Sequence, residues 1–140
     1  MLTWEEWQTK SASSLASAKI LLEHGKPVEA ASRAYYAAYQ MATGVLIRLD
    51  LSPRNELGNW AHRDTLEMYR THICQKTDLQ FKERRALKSL FPKFRYLLIT
   101  RYRADYGETT AIDLPLATSL WRDANQLVNL LDRLIRRGLL

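Results

Sequence analysis

A stretch of small and aromatic side chains from residue 30 to residue 46 limits most strongly what this chain can fold into. It reads AASRAYYAAYQMATGVL and places six alanines among three tyrosines. Small side chains allow neighbouring helix axes to approach closely, and a helix that is apolar around most of its circumference belongs in a core. The sequence therefore predicts a central, buried helix over residues 27–49.

Helix-capping residues mark the segment before this helix. Thr3 is followed three residues later by Glu6, which is the spacing of a capping box. An apolar pattern with spacings of three and four then predicts a helix over residues 3–24. Gly25 is expected to end that helix in a left-handed conformation, and Pro27 is expected to open the next one.

The middle of the chain is predicted to hold a loop and two further helices. Residues 50–58 contain proline, glycine and asparagine without helical periodicity, so we predict a loop there. Asn59 is predicted to cap a third helix over 59–75. A fourth helix over 78–106 contains Pro92, which removes one backbone hydrogen bond and is expected to kink or divide it.

The last helix has the clearest pattern. Gly107 is expected to stop the fourth helix, and Asp113 with Pro115 is expected to begin the last one. An apolar stripe at helical spacing follows: Leu116, Leu120, Ala124, Leu127, Leu131 and Leu134. No stretch of the sequence shows the alternation of apolar and polar residues that is typical of a β-strand. We therefore predict a single domain over residues 1–140, an all-α up-and-down bundle of four to five helices.

The residue types present exclude several classes of site. With one cysteine, Cys74, and three histidines, neither a disulfide framework nor a structural zinc site is expected, and no Glu-x-x-His pair suits a di-iron centre. The common nucleotide-binding and hydrolase motifs are absent. We expect no metal and no cofactor. Without a signal-peptide core or an apolar run of membrane-spanning length, the expected setting is cytoplasmic, with no membrane partner.

Positive charge is concentrated in one part of the chain. The net charge is +6, and the segment from Lys82 to Arg103 carries eight basic residues and one acidic residue, which is +7. Basic and aromatic residues together favour RNA or nucleotide binding, and the candidate contacts are Arg84, Arg85, Lys88, Lys93, Arg95 and Arg103, with Tyr102 and Tyr106 stacking on an unpaired base. A solvated helix face or a contact with an acidic partner is the alternative.

Three further polar features are candidates for a site. Arg33 lies within the small-residue helix, where a buried guanidinium needs a carboxylate or carbonyl partner; it is either a structural ion pair or a ligand contact. Arg101 and Asp105 lie four residues apart on one helical face and either pair with each other or serve a site. His62 falls in the first turn of the third helix, whose dipole favours the neutral ring that a general base needs; otherwise it is a bystander.

Three motifs, taken in their order along the chain, resemble those of the HEPN domain family, in particular of its small stand-alone members. They are SRAYYAAYQMATGVL at residues 32–46, His62 after the next loop, and RYRADY at residues 101–106. The resemblance spans roughly residues 5–135. It implies an all-α bundle that is usually a homodimer. It also implies that the gene often stands beside that of a minimal nucleotidyltransferase, as a toxin and antitoxin pair, with RNA as the usual target.

The chain departs from the ribonuclease members of that family. Those members carry an arginine and a histidine separated by four to six residues on one helix, and no such spacing occurs here. A dispersed site requires His62, Arg101 and Asp105 to meet in the folded bundle. His62 would then accept the proton of the RNA 2′-hydroxyl, and Arg101 or Arg33 would stabilise the phosphorane. Asp105 would orient one of these groups. The reaction would be metal-independent and would leave a 2′,3′-cyclic phosphate and a 5′-hydroxyl.

The competing hypothesis is a non-catalytic helical module that binds RNA, a nucleotide or a nucleotidyltransferase partner. Arg33, Arg101 and Asp105 would then be the polar clamp of the bundle. Replacing Arg33 or Asp105 by alanine would strand a buried charge and cost about 3–5 kcal/mol. A third hypothesis is a structural dimerisation domain without affinity for RNA. The resemblance also leaves open that a partner enzyme modifies Tyr102 or Tyr106.

Overall fold

The structure, a computed structural model, describes residues 1–53, 56–107 and 111–140. In these ranges the chain forms α1 (Trp4–Glu23), α2 (Pro27–Arg48), α3 (His62–Met68), α4 (Phe81–Tyr106) and α5 (Leu114–Arg136), and α3 continues into one π-helical turn at Tyr69–Ile73. The described residues contain no strand. The prediction of an all-α helical bundle is confirmed.

Both ends of α1 have the predicted caps. The Thr3 hydroxyl accepts a hydrogen bond from the Glu6 backbone N–H at 3.2 Å, and the Glu6 carboxylate accepts one from the Thr3 N–H at 2.7 Å. At the other end Gly25 has a φ of +67°. The N–H of Lys26 donates to the Leu21 carbonyl at 2.9 Å, which completes a Schellman-type termination. Both ends of α1 therefore carry the caps that the local sequence predicts.

The helix α2 lies at the centre of the bundle, as predicted. It packs against α1, α4 and α5. Its buried alanines are Ala30, Ala31, Ala34, Ala37, Ala38 and Ala42. The helix α1 approaches α2 closely at Gly44, where an added Cβ would lie 3.1 Å from both the Trp4 carbonyl oxygen and Trp7 Cβ. Small residues on α2 thus permit the tight packing that the sequence predicts.

The boundaries of α3 and α4 differ from the predictions. The first residue of α3 is His62, preceded by Ala61 without a side-chain cap, so the prediction that Asn59 caps this helix is wrong. The helix α4 begins at Phe81 rather than at residue 78, and it runs through Pro92 without division. Because Pro92 is exposed, the carbonyl that loses its helical partner can turn to water, and the helix continues.

The remaining connections agree with the sequence where they are described. Residues 50–53 and 56–58 form no helix, and residues 54–55 of the predicted loop lie outside the described residues. The Asp113 side chain accepts a hydrogen bond from the Leu116 N–H at 2.9 Å and caps α5. The predicted α5 stripe is buried from Leu120 onward. No helix in the described ranges has the length and apolar character needed to cross a membrane.

Candidate functional site

Among the described residues, the arginine that the bundle buries is Arg101, on α4. Its side chain is 9% exposed. Arg33, by contrast, is exposed on the surface of α2, so the prediction of a buried Arg33 guanidinium is wrong. Arg33 lies within a run of small residues, but no neighbouring helix covers that position, and its guanidinium lies 6.0 Å from the centre of the Tyr36 ring. A polar clamp of the bundle therefore does not include Arg33.

The Arg101 guanidinium is held by both polar and aromatic contacts. One of its terminal nitrogens donates a hydrogen bond to the Tyr36 hydroxyl at 3.0 Å. Its Nε lies 2.9 Å from Asp105 Oδ2, but the N–H does not point at that oxygen, so this contact is an ion pair without an Nε hydrogen bond. The rings of Tyr36, Tyr102 and Tyr106 lie 5.2–5.9 Å from the guanidinium carbon, within cation–π range.

These contacts keep Arg101 charged despite its burial. Burial lowers the pKa of Arg101, the hydrogen bond and charge of Tyr36 and the charge of Asp105 raise it, and the net direction is upward. Asp105 in turn links two helices, because its Oδ1 accepts a hydrogen bond from the Ser32 hydroxyl at 3.3 Å. The Asp105 side chain remains 29% exposed. The Arg101–Asp105 pair therefore lies at the edge of the core, with its carboxylate reachable by water.

His62 is positioned by the tyrosines of α2. The Tyr39 hydroxyl donates to the Trp60 carbonyl at 2.7 Å and so anchors the backbone that leads into α3. The Tyr35 hydroxyl lies 2.8 Å from His62 Nδ1. The rings of Tyr35, Tyr36 and Tyr39 lie 4.7–5.9 Å from the imidazole ring, centre to centre. The half-buried imidazole is thus fixed against one face of α2.

The surroundings of His62 favour its neutral form. Burial lowers the pKa of the imidazole, the charge of Arg101 lowers it further, and the charge of Asp105 opposes both. The net direction is below the ordinary value of 6.5. His62 is therefore neutral at pH 7, which is the protonation state that the sequence predicts, although burial and Arg101 rather than the helix dipole are the causes.

Two residues of the dispersed-site hypothesis, His62 and Arg101, meet at Tyr36, and the third, Asp105, joins them through its ion pair with Arg101. The Tyr36 hydroxyl accepts from Arg101, and the Tyr36 ring lies 5.9 Å from that of His62. We call the whole group the tyrosine site; its members are Ser32, Tyr35, Tyr36, His62, Arg101 and Asp105. Residues from α2, α3 and α4 that are up to 73 positions apart in sequence thus form one cluster.

Three members of the tyrosine site were not singled out from the sequence. Ser32, Tyr35 and Tyr36 belong to the first motif, but no role was assigned to them. A signal was present: tyrosines in an otherwise alanine-rich buried helix need hydrogen-bond partners for their hydroxyl groups. The sequence does not tell which partners they find, because those partners lie on other helices.

Comparison with models of protein families shows to which family this chain belongs. The HEPN domain model matches residues 4–134, which is nearly the whole chain and includes the entire tyrosine site. The chain belongs to the HEPN domain family. The resemblance noted from its motifs is therefore confirmed at the level of the family. Comparison of this HEPN domain with curated proteins gives no significant match.

The six basic residues of α4 that the sequence predicts as RNA contacts fall into two groups. The larger group lies with exposed apolar residues on the side of α4 that faces away from the core, which we call the α4 outer face; its members are Phe81, Arg85, Lys88, Arg95, Tyr96, Ile99, Tyr102, Arg103 and Tyr106. Arg84 and Lys93 do not belong to it. Arg84 donates twice to the Leu79 carbonyl, at 3.0 and 2.9 Å. Lys93 lies 3.5 Å from Asp123 of α5.

The α4 outer face is both strongly positive and unusually apolar. It carries four basic side chains and no acidic one, because Glu83 is buried and Asp105 pairs with Arg101. Phe81 and Tyr106 are each 77% exposed. Its C-terminal end reaches the tyrosine site through Tyr102 and Tyr106. In the described part of the chain no three His, Cys, Asp or Glu side chains cluster as a metal ion needs.

Proposed function

We propose that this HEPN domain binds single-stranded RNA along the α4 outer face. The observation that carries the proposal is the interleaving of exposed basic and aromatic side chains on one helix face that bears no acidic residue. Lysine and arginine displace counterions from phosphates, and aromatic rings stack on unpaired bases without requiring a particular sequence. The same density of positive charge disfavours pairing of this face with a copy of itself.

Tyr102 and Tyr106 connect the α4 outer face to the tyrosine site. Their ring centres are 6.2 Å apart and both rings contact Arg101, yet Tyr102 remains 49% exposed. Each ring therefore has one part held in place by the guanidinium and another part open to solvent. A ring held in this way stacks on a base at a smaller cost in side-chain entropy than a freely rotating one.

The test is the salt dependence of binding to a labelled single-stranded RNA, followed by fluorescence anisotropy. The variants Arg95→Gln and Arg103→Gln are expected to weaken binding and to reduce the slope of log K against log salt by about 0.7 for each phosphate that is no longer neutralised. Lys93→Gln is the matched control, because Lys93 is paired with Asp123. Wild-type protein that does not bind RNA at low salt would contradict the proposal, as would an equal weakening in Lys93→Gln.

Metal-independent RNA cleavage is the second candidate function. It is favoured by the neutral imidazole of His62 beside a charged arginine, the pairing that 2′-hydroxyl attack needs. Because Arg101 is committed to Tyr36 and Asp105, the exposed Arg33 is the arginine with free access to the phosphorane, and Asp105 orients Arg101. Incubation with total RNA and tRNA in EDTA tests this. Cyclic-phosphate fragments that disappear in His62→Ala and Arg33→Ala would support cleavage. RNA that is bound but stays intact would argue against cleavage and leave RNA binding as the function.

The proposed assembly rests on the family resemblance. It comprises a homodimer and a minimal nucleotidyltransferase that acts as the antitoxin of a toxin–antitoxin pair. The proposed setting is cytoplasmic, as the sequence predicts, and the one cysteine, Cys74, is a buried free thiol. Size-exclusion chromatography with light scattering tests the dimer, and co-purification with a nucleotidyltransferase encoded next to this gene tests the partner. A stable dimer without affinity for RNA would instead favour a structural dimerisation domain.

A further inference from the structure

Tyr35 makes a hydrogen bond that bears on the chemistry of His62. Its side chain is fully buried on α2, and its hydroxyl lies 2.8 Å from His62 Nδ1. Among the described residues this is the one hydrogen bond that the Tyr35 hydroxyl makes. The two rings are also in contact, with centres 5.4 Å apart. The imidazole therefore keeps Nδ1 directed into the core.

The direction of this hydrogen bond follows from the needs of the buried hydroxyl. A neutral imidazole carries a proton on one ring nitrogen and accepts at the other. If Nδ1 carried the proton and donated to Tyr35, the hydroxyl proton would be left without an acceptor in the described part of the core, which is costly. The hydroxyl therefore donates to Nδ1. Burial also raises the pKa of Tyr35 well above its ordinary value, so the hydroxyl keeps its proton.

The other ring nitrogen of His62 faces the outside. Nε2 has no hydrogen-bond partner among the described residues. The buried side-chain nitrogen and oxygen atoms without a partner in this part of the chain are Trp7 Nε1, Glu83 Oε2 and Arg101 Nε. Nε2 of His62 is therefore open to solvent. When Nδ1 accepts from Tyr35, the proton of the neutral ring is on this exposed nitrogen.

We propose that Tyr35 is a positioning residue that holds His62 in the Nε2–H form, so that His62 offers RNA a neutral hydrogen-bond donor and not a proton acceptor. The identity of the ligand rests on the proposed function, whereas the state of the ring does not. In this form Nε2 donates to an acceptor oxygen of RNA such as a phosphate oxygen. It has no free lone pair with which to take the 2′-hydroxyl proton, so this proposal favours RNA binding and excludes His62 as the base of the cleavage reaction. The tyrosine site is then a binding site beside the α4 outer face.

The state of the ring is measured on the free protein by long-range ¹H–¹⁵N correlation of ¹⁵N-labelled histidines. An unprotonated Nδ1 and a protonated Nε2 are expected for His62 at neutral pH. Tyr35→Phe is expected to move both nitrogen shifts toward an average of the two tautomers. Tyr39→Phe is the matched control, because Tyr39 packs on the same imidazole but donates to the Trp60 carbonyl instead. A proton on Nδ1 in the wild type, or unchanged shifts in folded Tyr35→Phe, would overturn the proposal.

The donor role is measured by RNA affinity in substitutions of His62. Glutamine can place an amide N–H near the position of Nε2, so His62→Gln is expected to retain affinity within about threefold. Alanine and asparagine offer no donor there, so His62→Ala and His62→Asn are expected to lose about tenfold. An affinity of His62→Gln as low as that of His62→Ala would refute the donor role. Wild-type protein that binds no RNA would refute the proposed function together with the donor role, while the ring state is still decided by the spectrum.

Discussion

The Tyr36 hydroxyl accepts a hydrogen bond from the Arg101 guanidinium at 3.0 Å, and this contact ties α2 to α4. The ring of the same tyrosine also lies 6.0 Å from the guanidinium of Arg33. One side chain thus contacts two arginines, one buried and one exposed. Arg101→Ala and Arg33→Ala are therefore a matched pair of substitutions. The residue type is the same in both, so a difference in their effect on stability reports the difference in burial.

We expect Arg101→Ala to lower the free energy of unfolding by about 2–4 kcal/mol. The substitution removes a buried side chain and leaves the Tyr36 hydroxyl and the Asp105 carboxylate without their partner. Arg33→Ala is expected to change stability by less than about 0.5 kcal/mol, because Arg33 is exposed. Urea unfolding followed by circular dichroism measures both. Similar losses in the two variants would contradict the burial difference that the structure shows.

The stability of the protein is expected to depend on pH through His62. Its imidazole is faced by Tyr35, Tyr36 and Tyr39, with the charges of Arg101 and Asp105 nearby, and its pKa in the folded state is below 6.5. The unfolded chain therefore binds the proton more tightly than the folded one. His62 contributes its full stability above pH 6.5, and that contribution is lost as the pH falls toward the folded-state pKa.

Thermal unfolding measured between about pH 5 and pH 7.5 tests this dependence, since histidine titrates in that range. His62→Gln is expected to show a shallower fall in melting temperature toward acid than the wild type. His72→Gln, which removes an exposed histidine, is the control and is expected to keep the wild-type steepness. A His62→Gln curve parallel to that of the wild type would show that His62 does not carry the effect.

Tyr106 is expected to contribute to RNA affinity by stacking. Tyr106→Ala should weaken binding by about fivefold or more, because base–aromatic stacking contributes roughly 1–3 kcal/mol, without altering the salt dependence. Tyr106→Phe keeps the ring and should bind almost as the wild type does. Anisotropy titrations at several salt concentrations separate the contribution of stacking from the contribution of charge. If Tyr106→Phe loses as much affinity as Tyr106→Ala, the hydroxyl and not the ring makes the contact.

The α1 cap offers a prediction about local stability. Thr3→Ala removes the hydroxyl that accepts from the Glu6 N–H, so we expect a loss of about 1 kcal/mol in the free energy of unfolding. Thr9→Ala is the control: its hydroxyl donates to the Glu5 carbonyl within the helix and caps no free N–H group. Chemical denaturation of both variants measures the difference. Equal denaturation midpoints for Thr3→Ala and Thr9→Ala would show that the cap does not stabilise the protein.

Much of the fold was predictable because it depends on neighbouring residues in the chain. The capping box of Thr3 and Glu6, the left-handed Gly25 and the buried α5 stripe all follow from short spacings. The start of α3 was not predictable in this way. It has no side-chain cap at Asn59, and the backbone just before it is held by a hydrogen bond from Tyr39 of α2 to the Trp60 carbonyl.

For the candidate site, the sequence by itself predicted three residues that the structure brings together, His62, Arg101 and Asp105, and a basic and aromatic α4. It also determined that α2 is a helix of small residues that neighbouring helices can approach. Only the tertiary structure decided that Arg101 is buried and Arg33 is exposed, and that Tyr35 and Tyr36 join His62 to Arg101. The physical reason is that periodicity assigns a residue to a face of its own helix, whereas burial and hydrogen bonding depend on which other helix, if any, covers that face.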